Sequence, residues 1–220
     1  MKKAFLDLDG TLLDSKLRHK RVLEDIFYVC TGISDIDVAD FVDYKADGNN
    51  TKKYLMDKFL LPEGDADILS KGWTEHIEDL DYLAGDNWYF DSMLFVKCLK
   101  ESDYCNIIVT ARQNEEAVIK FVEESLLAPY IDNIYVADPM NAATSKIDII
   151  NNIGIGKESI YVGDTEADYK CAKELGIKPY ILNRGFRSKN FFDSKGIDSV
   201  SSLLDVLKCL GIDSGFGRME

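Results

Sequence analysis

Short apolar segments alternate with amphipathic segments in the later part of the chain. After residue 85, "NIIVT", "NIYVA", "SIYVG" and "KPYIL" are rich in branched and aromatic residues. Short continuous runs of this kind are typical of strands buried on both faces of a parallel sheet. The segments between and after them, "NEEAVIKFVEESLL", "SKIDIINNI", "EADYKCAKELG" and "SSLLDVLKCL", have helical periodicity. The pattern predicts β–α repeats, and the opening "KAFLDLD" has the same strand pattern.

Residues 16–84, which we call the helical insert, have a different pattern. Helical periodicity occurs in "LRHKRVLEDIFYVC", "DIDVADFVDYK", "TKKYLMDKFL" and "DADILSKGWTEHIEDLDYL", whereas strand signals are almost absent. Gly32, Pro62 and Gly85 mark the ends of three of these segments. A strand, a helical insertion and then β–α repeats predict an α/β fold whose first strand is separated in sequence from the rest of its sheet.

The composition limits the possible ligands and compartments. The 220 residues include 46% hydrophobic and 30% charged residues, which is ordinary for a folded protein. A net charge of −13 argues against binding to nucleic acid or to a membrane surface, and an anionic ligand would need a local cation. The five cysteines lack metal-ligand spacing, which favours free thiols. Because "MKKAFLDLDG" has too short an apolar run for a signal peptide, we expect a cytoplasmic protein.

Polar residues follow the ends of three predicted strands. They are Asp7 and Asp9 in "DLDGT", Thr110 and Arg112 on either side of Ala111 after "NIIV", and Asp164 and Asp168 in "GDTEAD". Taken alone, each has a structural interpretation, such as a turn at Asp9–Gly10 or a helix cap at Asp164. Ligands of open parallel sheets bind at the carboxyl ends of the strands. We therefore expect these residues to converge, with Lys146 nearby on the preceding helix.

Four carboxylates in one cleft repel each other unless a cation or a shifted proton compensates them. An oxygen-only ligand set, with no nearby histidine or cysteine, favours Mg²⁺ over zinc. The metal and Lys146 would supply the local positive charge that the chain as a whole lacks.

The motifs "DLDGT", "VTAR", a lysine, Lys146, that is expected to open a helix, and "GDTEAD" follow one another in this order. They resemble the four motifs of the haloacid dehalogenase superfamily, specifically its phosphatases with a helical (C1) cap after the first motif, such as phosphoglycolate phosphatases. Lys146 is followed by Ile147 rather than by the proline often found there. The resemblance covers the whole chain. It implies a three-layer, Rossmann-like parallel-sheet core at residues 1–15 and 85–220, with an inserted α-helical cap at residues 16–84.

The resemblance also implies roles for individual residues. Asp7 would be the nucleophile that forms an aspartyl-phosphate, and Asp9 the general acid and base. Mg²⁺ would be held by the Asp7 carboxylate, the Asp9 backbone carbonyl and Asp164, with Asp168 orienting the site. Phosphoryl oxygens would be bound by Thr110, Lys146 and backbone N–H groups at Gly10 and Ala111.

Substrate contacts outside the motifs are predicted from position. Gly48 and two asparagines interrupt the helical pattern of "DYKADGNNTKK", which makes Lys45 and Asn49 candidate contacts from the insert. An ordinary connection between helices is an equal alternative for this segment. Arg112 lies directly after Thr110 and Ala111 and is a further candidate.

The function predicted from these observations is Mg²⁺-dependent hydrolysis of a small phosphomonoester, such as phosphoglycolate, a sugar phosphate or a nucleoside monophosphate. A phosphomutase of the same superfamily is the first alternative, because it uses the same two acids. A receiver-like phospho-acceptor and a non-catalytic binding protein are two others. The predicted partner is the small-molecule substrate alone, without nucleic acid or membrane, and the chain is expected to be a monomer or a small homo-oligomer.

Overall fold

The structure, a computed structural model, describes residues 1–215. Its main sheet has six strands in the order β5-β4-β1-β6-β7-β8, and every neighbouring pair is parallel. The strands are β1 Lys2–Leu6, β4 Tyr104–Ala111, β5 Asn133–Ala137, β6 Ile160–Gly163, β7 Lys178–Leu182 and β8 Ser199–Val200. Two short segments, β2 Leu13–Asp14 and β3 Asn87–Trp88, pair antiparallel where the chain enters and leaves the helical insert.

Helices cover both faces of the sheet and make up most of the insert. Within the insert they are α1 Lys16–Thr31, α2 Phe41–Ala46, α3 Thr51–Phe59, α4 Glu63–His76 and α5 Leu80–Leu83. After it come α6 Ser92–Glu101, α7 Glu115–Glu123, α8 Ala142–Ile153, α9 Glu166–Glu174, α10 Lys189–Ser194 and α11 Leu203–Leu210. Residues Ala128–Tyr130 and Pro139–Asn141 form short 3₁₀ helices.

The side chains of β1 alternate between two hydrophobic clusters, one on each face of the sheet. Leu6 belongs to a cluster that contains Phe95 of α6 and Leu203 of α11. Phe5 points the other way and belongs to a cluster with Ile150 of α8 and Ala172 of α9. This alternation follows from the two-residue period of a strand. The predicted α/β class, a parallel sheet between two helical layers, is confirmed.

The register of the central strands aligns their carboxyl ends. Leu6 of β1 pairs with Ile108 of β4 on one side and with Val162 of β6 on the other. The chain extends the contact with β6 by one residue, because the backbone N–H of Asp7 donates to the carbonyl of Val162 at 2.9 Å. Residues that follow β1, β4 and β6 therefore lie at one edge of the sheet.

The insert has a hydrophobic cluster of its own and is less helical than its periodicity predicts. Phe27, Tyr54 and Leu69, from three of its helices, are buried together. The segment 35–45 forms a helix only from Phe41, because the Asp37 side chain accepts a hydrogen bond from the Ala39 backbone N–H at 3.0 Å and makes a turn instead.

The segment 65–83, whose periodicity predicts one helix, is divided into α4 and α5. A local turn separates them, in which the Asp79 backbone N–H donates to the carbonyl of His76 at 3.0 Å.

The structure also bears on the cysteines and on membrane-spanning segments. The five cysteines are free thiols, as the sequence predicts. Among residues 1–215, no helix combines the length and the apolar character needed to cross a membrane.

Candidate active site

A cavity of about 260 Å³ opens at the carboxyl ends of β1, β4 and β6. The structure brings seven of the sequence-predicted residues to its walls: Asp7, Asp9, Thr110, Ala111, Lys146, Asp164 and Asp168. They come from three strand ends and from helices α8 and α9. This is the edge of the sheet at which the sequence predicts the site.

Two glycines make room for Asp164. A Cβ atom on Gly10 would lie 2.1 Å from Oδ2 of Asp164, and Gly10 also has a φ of +75°. A Cβ on Gly185, in the segment after β7, would lie 2.0 Å from the same oxygen. Side chains at these positions would displace the carboxylate. Gly10 was predicted to bind phosphate through its N–H, but here that group donates to the carbonyl of Leu13 at 2.8 Å.

Lys146 joins two of the aspartates. Its Nζ donates to Oδ1 of Asp7 at 2.6 Å and to Oδ1 of Asp168 at 2.7 Å, and the amine is buried. Burial opposes the charged amine, but Asp168 and Asp7 hold the pKa of Lys146 well above its usual value. Lys146 is therefore a cation fixed beside Asp7.

Asp168 is held by hydrogen bonds from several groups. Besides Lys146, the hydroxyl of Tyr161 donates to Oδ1 at 3.0 Å, and the hydroxyl of Thr165 donates to Oδ2 at 2.6 Å. Thr165 and Asp168 also form a capping box at the start of α9. Although burial opposes it, Lys146 and these hydroxyls lower the pKa of Asp168. Asp168 is thus a fixed carboxylate that positions Lys146.

In contrast to Asp168, whose pKa is lowered, Asp7 and Asp164 have raised pKa values. Burial raises the pKa of Asp7 to about 7, partly offset by Lys146. Burial and the nearby Asp7 raise the pKa of Asp164 well above its usual value. Oδ2 of Asp164 accepts the backbone N–H of Phe186 at 2.5 Å, whereas Oδ1 has no hydrogen-bond partner within residues 1–215. Such a pair of buried carboxylates is compensated either by a proton or by a cation.

The residues present fit a hard divalent metal ion. Carboxylate oxygens of Asp7, Asp164 and Asp168 lie within 4.8 Å of one another. Because Asp168 already accepts several hydrogen bonds, Asp7 and the unpartnered Oδ1 of Asp164 are the available oxygens. All of them are carboxylate oxygens, which Mg²⁺ prefers.

Asp9 lies in a buried ring of charges that the sequence did not predict. Arg112 donates to Asp9 through Nε at 2.7 Å and Nη2 at 2.8 Å, and Arg18 donates through Nη2 at 2.5 Å. Asp86 completes the ring, 3.3 Å from Arg18 and 3.4 Å from Arg112. Against the effect of burial, the two arginines hold the pKa of Asp9 well below its usual value. Asp9 is consequently an ionised carboxylate in this structure.

Comparison with known proteins identifies the family. The sequence profile of the haloacid dehalogenase-like hydrolases matches residues 4–181. The chain belongs to this family. The resemblance predicted from the four motifs is therefore confirmed. Among curated proteins, none matches the chain by sequence.

Solved structures share the fold of this haloacid dehalogenase-like hydrolase at low sequence identity. A predicted phosphatase from Clostridium acetobutylicum has a TM-score of 0.68 at 19% identity, over 95% of this chain and 97% of that one. A haloacid dehalogenase-like hydrolase from Streptococcus pneumoniae has a TM-score of 0.72 at 18% identity, over 96% and 98%. A predicted phosphoglycolate phosphatase from Haemophilus somnus has a TM-score of 0.66 at 15% identity, over 96% and 98%.

The candidate substrate contacts of this hydrolase lie outside the cavity wall. Arg112 is engaged by Asp9 and Asp86. Asn49 donates to the carbonyl of Tyr44 at 3.0 Å and accepts from Lys53 at 2.9 Å, so both ends of its amide are bound within the insert. Lys45 places its Nζ 3.9 Å from the centre of the Trp73 ring.

Six residues of the cavity wall were not among the predicted site residues. They are Ala142, Thr165, Glu166, Ala167, Phe186 and Arg187. Arg187 donates to Glu166 through Nε at 2.7 Å and Nη2 at 2.9 Å, which fixes its guanidinium at the cavity wall. Phe186 and Arg187 follow β7, another strand of the same sheet. The rule that ligands bind beyond strand ends, applied to "KPYIL" as well, would have found them.

Proposed function

We propose that this hydrolase is a Mg²⁺-dependent phosphatase that cleaves a small phosphomonoester through an aspartyl-phosphate on Asp7. The observation that carries the proposal is the pairing of Asp7 with Lys146 inside a cavity that also contains Thr110 and Asp164. A carboxylate nucleophile, a fixed cation and a carboxylate pair suited to a metal are the groups that phosphoryl transfer requires. The similar structures described as phosphatases share this fold, which supports the class of reaction.

Asp7 would act as the nucleophile. Lys146 binds its Oδ1 at 2.6 Å, whereas the one contact of Oδ2 within residues 1–215 is a long one of 3.5 Å from the hydroxyl of Thr11. Oδ2 can therefore attack phosphorus while Oδ1 remains bound. The new O–P bond forms as the ester P–O bond breaks, and water then cleaves the aspartyl-phosphate to regenerate Asp7.

Asp9 would carry the proton in both steps. It would protonate the leaving oxygen and then accept a proton from the attacking water. In the present arrangement Asp9 is an ionised carboxylate held by Arg18 and Arg112. Its role as proton donor therefore requires that these pairs rearrange when substrate binds.

Lys146 and Thr110 would bind the phosphoryl oxygens, because both line the cavity beside Asp7. Mg²⁺ would be held by Asp7 and Asp164, with the backbone carbonyl of Asp9 as a further ligand. When bound, the metal ion supplies positive charge that stabilises the transferring phosphoryl group. Asp168 positions Lys146 and holds its charge.

We place this activity in the cytoplasm, with a small-molecule substrate as the partner. Free thiols at all five cysteines suit a reducing compartment. The helical insert would act as a cap, since its α2 contacts the segment after β7 through the Ser188 N–H, which donates to the carbonyl of Ala46 at 2.9 Å.

The test is release of inorganic phosphate from a panel of small phosphomonoesters, including phosphoglycolate, with Mg²⁺ or with EDTA. We expect Mg²⁺-dependent turnover by the wild type and at least a thousandfold loss in Asp7→Asn. The matched control Asp65→Asn changes an exposed carboxylate in the first turn of α4 and should keep full activity. Absence of turnover on every ester, or full activity in Asp7→Asn, would overturn the proposal.

A further inference from the structure

Arg184 joins three segments of the chain at the edge of the sheet where the cavity opens. It belongs to residues 183–187, which directly follow β7 and which we call the β7 loop. Nη2 of Arg184 donates to the backbone carbonyl of Thr11 at 3.0 Å, and Nη1 donates to Oδ2 of Asp91 at 2.8 Å. The carbon atom of its guanidinium lies 3.9 Å from the centre of the Tyr89 ring. Because these partners lie on two other segments and bind a planar, rigid group, they fix the place of the β7 loop.

The partners of Arg184 belong to the two connections between the core and the helical insert. Thr11 lies between β1 and β2, where the chain enters the insert. Tyr89 and Asp91 follow β3, where the chain returns to the core. The two connections are also joined to each other, since the Tyr89 N–H donates to the carbonyl of Leu12 at 3.0 Å. Arg184 therefore holds the β7 loop against two segments whose relative position is already set by hydrogen bonding.

The β7 loop in turn contacts Asp164, whose Oδ1 has no hydrogen-bond partner in residues 1–215. The backbone N–H of Phe186 donates to Oδ2 of Asp164 at 2.5 Å. Gly185 lets the loop backbone approach this carboxylate and the turn after β1, because a Cβ at this position would lie 2.0 Å from Oδ2 of Asp164 and 2.7 Å from the carbonyl oxygen of Gly10. These two residues directly follow Arg184. The orientation of Asp164 therefore depends on where Arg184 holds the loop.

Asp91 makes this attachment difficult to break. Its side chain is fully buried, and its Oδ2 also accepts the backbone N–H of Leu203 at 2.9 Å. Among residues 1–215, Arg184 is the one cationic side chain within 4.0 Å of this carboxylate. Separating a buried ion pair leaves a charge without compensation, which is strongly unfavourable. The pair therefore keeps the β7 loop attached to the core.

We propose that Arg184 is a positioning residue for the metal site. It holds the β7 loop against the turn after β1, and the loop orients the Asp164 carboxylate toward the metal ion. This inference rests on the proposed function, which assigns Asp164 as a metal ligand. Removing a group that orients a metal ligand typically weakens metal binding by about ten- to a hundredfold. Arg184 contacts neither metal nor substrate, so its loss should act through the affinity for Mg²⁺.

Calorimetric titration of the metal-free protein with Mg²⁺ measures the expected effect. Arg184→Met should raise the Kd for Mg²⁺ at least tenfold. Arg184→Lys keeps the charge but cannot reproduce both hydrogen bonds of the guanidinium, so it should raise the Kd less. Val122→Ala removes buried methyl groups of α7, and this destabilised control should leave the Kd unchanged. An unchanged Kd in Arg184→Met, or an equal rise in Val122→Ala, would overturn the inference.

A double variant keeps the test decisive if Arg184→Met does not fold. Arg184→Met combined with Asp91→Asn removes both charges of the pair, so no buried carboxylate is left without a cation. The double variant still lacks the hydrogen bond to the Thr11 carbonyl and the attachment of the β7 loop. We expect the same rise of at least tenfold in the Kd for Mg²⁺, and wild-type affinity in the double variant would refute the role of Arg184.

Amide hydrogen exchange in EDTA tests the β7 loop without metal or catalysis. In Arg184→Met the Phe186 N–H should exchange at least tenfold faster, relative to the N–H of Asp132, which donates to the Asn106 carbonyl at the opposite edge of the sheet. If the wild type binds no Mg²⁺, the proposed function fails, and unchanged exchange at Phe186 would still refute the role of Arg184. Faster exchange with an unchanged Kd for Mg²⁺ would refute the effect on the metal site and leave the phosphatase intact.

Discussion

Arg112 binds Asp9 through two parallel hydrogen bonds, from Nε to Oδ2 at 2.7 Å and from Nη2 to Oδ1 at 2.8 Å. The two residues lie at the ends of adjacent strands, β1 and β4, so the sheet itself sets their separation. A bidentate pair of this kind is directional as well as strong. It fixes the orientation of the carboxylate that is proposed to carry the proton.

Removing this guanidinium should destabilise the protein. Arg112→Met leaves Asp9 and Asp86 with Arg18 as their only cation in the ring, and uncompensated buried charge costs about 3 kcal/mol. Arg112→Lys keeps the charge but not the bidentate geometry, so its loss should be smaller. Urea unfolding at neutral pH measures both. Lys97→Met, at a half-exposed lysine of α6, should change stability by less than about 0.5 kcal/mol. An equal effect of Arg112→Met and Lys97→Met would contradict the importance of the ring.

The contribution of Asp86 to the folding stability should depend on pH. Burial raises the pKa of Asp86 to about 6, from 3.8 in the unfolded chain. Between these values the folded state binds more protons than the unfolded state, so the contribution of Asp86 to stability falls as pH rises. From pH 5 to pH 7.5 the loss is about 1.4 kcal/mol. Asp86→Asn removes this contribution.

The measurement is the free energy of unfolding of wild type and Asp86→Asn at pH 5 and pH 7.5. The wild type should lose stability relative to the variant as pH rises. Asp81→Asn, at an exposed carboxylate of α5, is the control and should follow the wild type at both pH values. A constant difference between wild type and Asp86→Asn would show that Asp86 does not titrate in this range.

The central part of the site could be predicted because it depends on local sequence and one rule of topology. Asp7, Thr110 and Asp164 each follow an apolar run, and the carboxyl ends of parallel strands converge. The same rule did not reveal Arg18 and Asp86. Arg18 occupies an ordinary position in the first helix of the insert, and Asp86 a connection far along the chain. They meet because β2 and β3 pair where the chain enters and leaves the insert, and neither short strand has a sequence signal.

The predicted helix boundaries in the insert were wrong for a related reason. Hydrophobic periodicity continues through 35–45, but side chains such as Asp37 bind the nearby backbone and compete with helix formation. Periodicity describes which face is buried, and it does not report such local competition. The contacts of Lys45 and Asn49 also depend on the path that the backbone of this segment takes. Their positions in the sequence therefore could not show whether their side chains contact the cavity or other residues of the insert.

Gly185 provides a direct test of the packing around Asp164, with Gly64 as the control. Gly185→Ala places a Cβ 2.0 Å from Oδ2 of Asp164, so the carboxylate or the backbone must move. We expect a loss of about 1–3 kcal/mol from overpacking, together with a large loss of activity. At Gly64, in the first turn of α4, a Cβ meets nothing within 4 Å, and Gly64→Ala should stabilise by about 0.4–1 kcal/mol. Thermal unfolding and phosphate release measure both variants, and a neutral Gly185→Ala would contradict the close packing.

The variant Asp164→Asn tests metal binding through thermal stability, without a measurement of activity. The buried carboxylate has an unpartnered Oδ1, and burial raises its pKa well above the usual value, so the charge destabilises the metal-free protein. In EDTA, Asp164→Asn should therefore melt at a higher temperature than the wild type. Mg²⁺ should stabilise the wild type, by about 2.7 kcal/mol at a concentration one hundred times its Kd, and should have little effect on the variant. Sodium sulfate in place of magnesium sulfate, at the same ionic strength, controls for salt. Equal stabilisation of both proteins by Mg²⁺ would show that the metal ion binds elsewhere. If Mg²⁺ bound through the Asp164 carboxylate, it could not stabilise a variant that lacks this carboxylate as strongly as the wild type.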